Sequence, residues 1–408
     1  MAFNSYVGSF TQSTSTGNQA ITGVGFQPKA VLFFSDFDAF TGNKNDALYG
    51  FGVAVSSTKR WAVFGHANWG SASALSKGGF DTTRCFGSVI ASGATDYVNA
   101  DFVSMDSDGF TINNTTVAAT GSVIYFIALG GTDISVDVGT FTITATGNKA
   151  VTGVGFLPSM VLFSSIGAPA AGNQNAIETS VGGMTSSSQF VISQMGQNSV
   201  NPSNTKSLQI TTAVIDNEWT AGNEDKAEYV SLDADGFTIN CSKNTNSPIC
   251  GYFAIKGAQF KIGTFTESTS LGSQSVTGVG FQPSLVMFLS QSQASSTAVQ
   301  DNLNIMIGSA VSSSSRNVFD IDANDNVTPS QGQNSKSSAL CLEHINATAV
   351  TNVPTVLESS DFVSMDSDGF TFNASVINVT GFEDVYIAFA QNVAASTFIP
   401  RLTLMGAG

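Results

Sequence analysis

Val7-Gly8-Ser9-Phe10-Thr11, continued by Ile21-Thr22-Gly23-Val24-Gly25-Phe26-Gln27-Pro28 and Val31-Leu32-Phe33-Phe34-Ser35, is the most informative stretch of this chain, because it comes back twice. It returns as Val138-Gly139-Thr140-Phe141-Thr142, Val151-Thr152-Gly153-Val154-Gly155-Phe156-Leu157-Pro158 and Val161-Leu162-Phe163-Ser164-Ser165. The third copy is Ile262-Gly263-Thr264-Phe265-Thr266, Val276-Thr277-Gly278-Val279-Gly280-Phe281-Gln282-Pro283 and Val286-Met287-Phe288-Leu289-Ser290. A second block closes each unit: Phe102-Val103-Ser104-Met105-Asp106-Ser107-Asp108-Gly109-Phe110-Thr111, with counterparts ending in Asp233-Ala234-Asp235-Gly236-Phe237-Thr238 and Asp366-Ser367-Asp368-Gly369-Phe370-Thr371. The opening glycine falls at 8, 139 and 263, steps of 131 and 124 residues; the closing glycine falls at 109, 236 and 369, steps of 127 and 133. Units of that length are domains, well beyond a solenoid repeat of about 20–50 residues. The chain reads as three tandem domains, residues 1–131, 132–257 and 258–394, followed by a C-terminal extension, 395–408.

Within a unit the apolar period is two. Phe141, Ile143 and Ala145 alternate with Thr140, Thr142 and Thr144, as in a strand with one wet face. Val123 to Leu129 is apolar throughout, as in a strand covered on both faces. Thr, Val, Ile and Phe dominate these runs and no long amphipathic helical stretch interrupts them. The expectation is all-β: three antiparallel β-sandwiches of jelly-roll type, forming a covalent pseudo-trimer. The links, Gly130 to Asp137 and Gly257 to Lys261, are short enough to favour packed neighbours. Residues 36–50, 166–180 and 291–304 share no pattern, and neither do 66–80, 196–206 and 320–336. These Gly-, Asn- and Ser-rich segments read as contact-bearing loops. The extension ends Phe398-Ile399-Pro400-Arg401-Leu402-Thr403-Leu404-Met405, an apolar tail suited to an extra strand, an arm onto a neighbour or a fold back onto its own domain.

Composition excludes several classes. Of 408 residues 42% are apolar, enough for real cores and too many for a disordered chain. The net charge is −15, from 30 acidic and 15 basic residues, which argues against a nucleic-acid partner or docking on an anionic membrane. The longest apolar run is strand-sized, and the first residues carry neither a basic nor an apolar signal region, so the reading is of a chain without a secretory signal or spanning helix. Four cysteines form no metal pattern. Cys85 and Cys341 read as small buried hydrophobes, whereas Cys241 and Cys250, nine apart, could face each other across a hairpin as a disulfide or as thiols.

Asp106-x-Asp108-Gly109, Asp233-x-Asp235-Gly236 and Asp366-x-Asp368-Gly369 invite a calcium reading, but a calcium loop needs six to eight oxygens and the distal Glu is missing. Tight turns between strands, with the glycines at positive φ and the carboxylates capping amides, fit better. Asp320-Ile321-Asp322-Ala323-Asn324 sets oxygens at alternate positions and is a weaker Ca2+ candidate at Asp320, Asp322 and Asn324. Thr-Gly-Val-Gly-Phe lacks the third glycine and the helix of a dinucleotide fingerprint, so it reads as a turn. The two histidines, His66 and His344, fall in different domains, which disfavours Ser-His-Asp hydrolysis and His-based zinc sites. Tyr49, Trp61 and Trp69 in the first copy could stack on sugars.

The combination of Gly-x-Phe-Thr, Gly-Phe-x-Pro before Val-x-Phe, Asp-Gly-Phe-Thr and a final tyrosine-bearing strand (Val123-Ile124-Tyr125-Phe126, Gly251-Tyr252-Phe253, Val385-Tyr386-Ile387) resembles a domain of tailed-phage virion proteins. The resemblance covers most of the chain; the tryptophan common in that last strand is absent. It implies a non-enzymatic virion component without catalytic residues or cofactors, assembled in the host cytoplasm: a capsid decoration or a head or tail appendage. The partners expected are other capsid or tail proteins and other copies of itself. The alternative is a lectin-like adhesin binding a host-surface glycan; a capsule depolymerase is a third class.

Overall fold

The period-two runs become strands. A computed structural model describes residues 3–37, 39, 42–90, 95–217, 225–294 and 298–392; the 395–408 extension lies outside the described residues. Among the described residues no helix forms, none is therefore long and apolar enough to cross a membrane, and every strand pairing is antiparallel. Repeat 1 contains β1 (Asn4–Thr11), β2 (Gly17–Thr22), β3 (Pro28–Ser35), β4 (Lys44–Asn45), β5 (Ala47–Ala54), β6 (Arg60–Ala67), β7 (Ser76–Asp81), β8 (Phe86–Ile90), β9 (Thr95–Asp106), β10 (Gly109–Thr116) and β11 (Val123–Gly130). One sheet runs β1-β11-β3-β5-β6-β7 and a smaller one β2-β10-β9-β8. The first strand pairs with the last, Val7 opposite Ile127, so each repeat is closed from its two ends. Repeats 2 and 3 follow the same two orders.

Strand alternation assigns each residue to one of two cores. Val31, Phe33, Ile124 and Phe126 face the small sheet and meet Phe86, Phe102 and Phe110. The rings of Phe110 and Phe126 sit edge to face at 5.1 Å, an arrangement aromatic pairs favour. The intervening residues, Leu32, Phe34, Tyr125, Ile127 and Leu129, point the other way. They join Leu162, Ile192 and Phe253 of repeat 2 and Met287, Ile305, Phe319 and Ile387 of repeat 3 in one continuous core. Three large sheets therefore turn their backs to a shared interior, and each small sheet covers the outer face of one of them. This is why Val123 to Leu129 carries no polar residue: its second face is covered by the other repeats. Each buried Leu, Ile or Phe there contributes roughly 1.5–3 kcal/mol.

The sheets also trade strands. Gly172–Gln174 of repeat 2 adds a seventh strand beside β7, with Gly172 opposite Phe80 and Gln174 opposite Gly78. Gln300–Asp301 of repeat 3 does the same beside Thr205–Ile210 of repeat 2, and β4 of repeat 1 beside Gly332–Ser337 of repeat 3. Repeat 1 thus receives from 2, 2 from 3 and 3 from 1, a closed cycle of pairings. The donors lie within 36–50, 166–180 and 291–304, and the receiving strands start within or overlap 66–80, 196–206 and 320–336. The segments that share no sequence pattern are the joints between repeats.

Candidate functional site

The two recurring sequence blocks meet at one turn. In repeat 1 the Asp108 carboxylate accepts the amide N–H groups of Gly25 (2.6 Å) and Gly23 (3.1 Å). Asp235 does this for Gly155 and Gly153, and Asp368 for Gly280 and Gly278, at the same distances. Asp106 accepts the hydroxyls of Ser104 and Thr111 at 2.7 Å; Asp233 and Asp366 are held by the equivalent Ser and Thr. Gly109 has φ 143°, and a Cβ there would run into the carbonyl oxygen of Ile21, so both conformation and space demand glycine. Gly236 and Gly369 have φ of 142° and 154° against the carbonyls of Val151 and Val276. These carboxylates are occupied in holding a turn.

The aromatic trio lies at the joints, and two of its members are buried. Trp61 and Tyr49 are buried in the shared core. Trp61 donates its indole N–H to the carbonyl of Tyr252 in repeat 2 at 3.1 Å, and its ring covers Gly251, where a Cβ would come within 2.7 Å. The Tyr49 hydroxyl meets Thr179 Oγ1 of repeat 2 at 2.5 Å. Trp69, half-buried, donates to the Thr348 carbonyl of repeat 3 at 3.1 Å. Charges serve the same joints: Lys336 of repeat 3 pairs with Asp36 of repeat 1, both fully buried, and Lys206 of repeat 2 reaches Asp301 and Asp325 of repeat 3 at 2.7 Å each. Lys59 pairs with Asp137 across repeats 1 and 2.

The disulfide alternative for the cysteines is corrected, and the Asp320 segment has defined contacts. Cys241 and Cys250 are buried free thiols on opposite sheets of repeat 2, so the hairpin disulfide is not formed. Asp320 and Asp322 point from one strand edge into the protein: Asp320 accepts the Ile345 amide at 2.6 Å and Asp322 the Ala347 amide at 2.8 Å and the Asn304 side chain. Asn324 spends its amide N–H groups on Gln331 and the Ala347 carbonyl. Two of these alternate oxygens cap amides at the edge of the neighbouring strand.

A buried group that sequence reasoning passed over lies in repeat 3. His344 Nε2 faces Asp384 Oδ1 at 3.3 Å and Glu267 Oε1 at 3.4 Å, and its Nδ1 meets Ser292 Oγ at 2.8 Å. Burial pushes the imidazole pKa down, but the Asp384 and Glu267 carboxylates outweigh that and hold it well above its ordinary value. Burial and Asp384 push the Glu267 carboxyl up. The signal was present as a charged residue, Glu267, where the other copies carry Gln12 and Ile143.

No family model and no curated protein matches the chain. Among solved structures, a fructofuranosidase from Schwanniomyces occidentalis complexed with fructose aligns over 92% of this chain and 98% of its own, at 9% identity and a TM-score of 0.14. Similarity that slight carries no argument about fold or activity.

Proposed function

We propose that the chain is a non-enzymatic structural protein of a tailed-phage particle, a capsid decoration or head or tail appendage, acting as a covalent pseudo-trimer. The observation that supports this reading most is the cyclic trade of strands around one shared core. Three homologous units locked head to tail in one chain make a rigid block whose surface repeats three times, suited to a three-fold or quasi-three-fold position on a symmetric lattice. The residues that differ most between repeats are spent on the joints, while the recurring ones stabilise turns. Few side chains are left in a convergent cleft of the kind a substrate needs. Burial of Tyr49 and Trp61 leaves only Trp69 of the three aromatics for the glycan-binding alternative.

The test is reconstitution. Purified protein mixed with particles lacking it, then imaged by cryo-electron microscopy, is expected to give ordered density at a repeating position on head or tail. Particles that stay bare at saturating protein would overturn the proposal.

A further inference from the structure

The same corner occurs three times in this molecule, which supplies an internal control for the buried group in repeat 3. Main-chain bonds fix the equivalence: the amides of Gln12, Ile143 and Glu267 donate to Ser122, Pro248 and Phe382. Ile124, Cys250 and Asp384 stand opposite Phe10, Phe141 and Phe265. Ser88, Asn217 and His344 each come three residues after an amide bonded to the neighbouring strand. Repeat 1 fills the corner with Gln12, Ser88 and Ile124, and Gln12 donates to the carbonyl of Thr116 at 3.1 Å. Repeat 2 fills it with Ile143, Asn217 and Cys250, and Asn217 donates to Ser165 at 3.0 Å. Two copies of the fold are thus built with neutral residues there, so the architecture does not require ionisable ones.

Repeat 3 puts Glu267, His344 and Asp384 in that place. All three are buried; His344 Nε2 faces Asp384 Oδ1 and Glu267 Oε1 at 3.3 and 3.4 Å, and Asp384 Oδ2 has no hydrogen-bond partner. One nitrogen or oxygen from each lies within 4.8 Å of the others. Two buried carboxylates facing a single imidazole leave a charge uncompensated in the interior, which is costly. A proton on Nε2, shared between Asp384 Oδ1 and Glu267 Oε1, neutralises one of the two charges and leaves the other buried. A divalent cation neutralises both carboxylates and takes a donor atom from each of the three groups. Ligand atoms on a tetrahedral zinc at roughly 2.0–2.2 Å stand about 3.3–3.5 Å apart, and the two separations from Nε2 are 3.3 and 3.4 Å.

We propose that Glu267, His344 and Asp384 form a binding site for a divalent transition-metal cation of the zinc type. The surroundings match a ligating imidazole. Nδ1 meets Ser292 Oγ at 2.8 Å, and the Ser292 hydroxyl faces the Asp320 carboxylate at 3.4 and 3.5 Å; with Nδ1 as the donor, a metal displacing the Nε2 proton would find that nitrogen turned toward the two acids. Asp320 is itself anchored by the Ile345 amide. The Glu358 carboxylate lies against Glu267 and accepts the Asn378 amide at 3.0 Å, which fixes the far side of the Glu267 carboxyl. A cleft of about 350 Å³ lies beside the site, lined by its neighbours Ser292, Ile345 and Phe382, and Phe382 packs edge-on against the His344 ring at 5.1 Å. His344 belongs to the small sheet and Asp384 to the large one, so the ion would clamp the two sheets of repeat 3 together.

The full chain, stripped with chelator and dialysed, is titrated with Zn2+ by calorimetry and with Co2+ by visible absorption. One saturable site per chain, Co2+ ligand-field bands and a raised melting temperature with Zn2+ are expected. His344→Gln and Glu267→Gln abolish the bands, and Ser292→Ala keeps them but weakens binding about 10–100-fold. His66→Gln leaves stoichiometry unchanged. A folded wild-type chain that binds no stoichiometric metal, or bands that survive His344→Gln, overturns the proposal. If the His344 variant does not fold, X-ray absorption of the zinc-loaded wild type decides: one imidazole among oxygen donors supports the site, and sulfur or all-oxygen ligation overturns it.

Discussion

Glu178 shows how one side chain at a joint can make stability depend on pH. It lies in a cleft between repeats 1 and 2, beside Gly78, Gly79 and Gly167, and accepts the Asn246 side-chain amide at 3.2 Å. Burial, helped by the nearby Asp225 charge, pushes its carboxyl from 4.5 up to about 7. The folded state therefore holds a proton that the unfolded state has released across that interval, so stability falls as pH rises from about 4.5 to 7 and is lowest above it. Glu178→Gln is expected to flatten this part of the profile, read as the difference between variant and wild-type denaturation midpoints at pH 5 and pH 8. Equal slopes for the two proteins would show that the cleft solvates the carboxylate.

At the level of strands, most of the architecture was legible in the sequence because the signals are local. Alternating Phe141, Ile143 and Thr142 announce a strand, and the glycines at 109, 236 and 369 announce turns. What lay out of reach was pairing between distant segments. Nothing in Lys44-Asn45 names Gly332–Ser337 as its partner, and a two-residue strand has no periodicity to read. Trp61 looked like a ligand platform because its partner is a glycine, Gly251, which leaves no apolar mark. The Glu267, His344 and Asp384 group was hidden similarly, since its members are 77 and 40 residues apart (267, 344 and 384) and meet only when the two sheets pack. The Trp61–Gly251 fit makes its own prediction. Trp61→Ala should cost about 3–5 kcal/mol in chemical denaturation. Gly251→Ala should be strongly destabilising in wild type but mild in a Trp61→Ala background, so a double-mutant cycle detects the coupling. Additive losses would show that ring and glycine do not depend on each other.

For the whole molecule, the shared core means that no repeat is self-sufficient, despite each having two sheets and an interior of its own. Residues 132–257 expressed alone would expose Leu162, Ile177, Ile192 and Phe253 together and leave the Thr205–Ile210 edge without its neighbour. This fragment is expected to associate or bind hydrophobic dye, whereas the full chain melts in one cooperative transition. A monomeric fragment with native-like stability would disprove interdependence. The closing joint also has a consequence for biosynthesis. Asn45 meets Gln333 across 288 residues, so at about 5–20 residues per second the early strand waits roughly 15–60 s on the ribosome before its partner exists. Through that wait, half-made chains on one polysome display complementary, unmated sheet edges to each other. High expression should therefore favour chains that complete the cycle with a neighbour's strand, giving interlinked dimers of otherwise native fold.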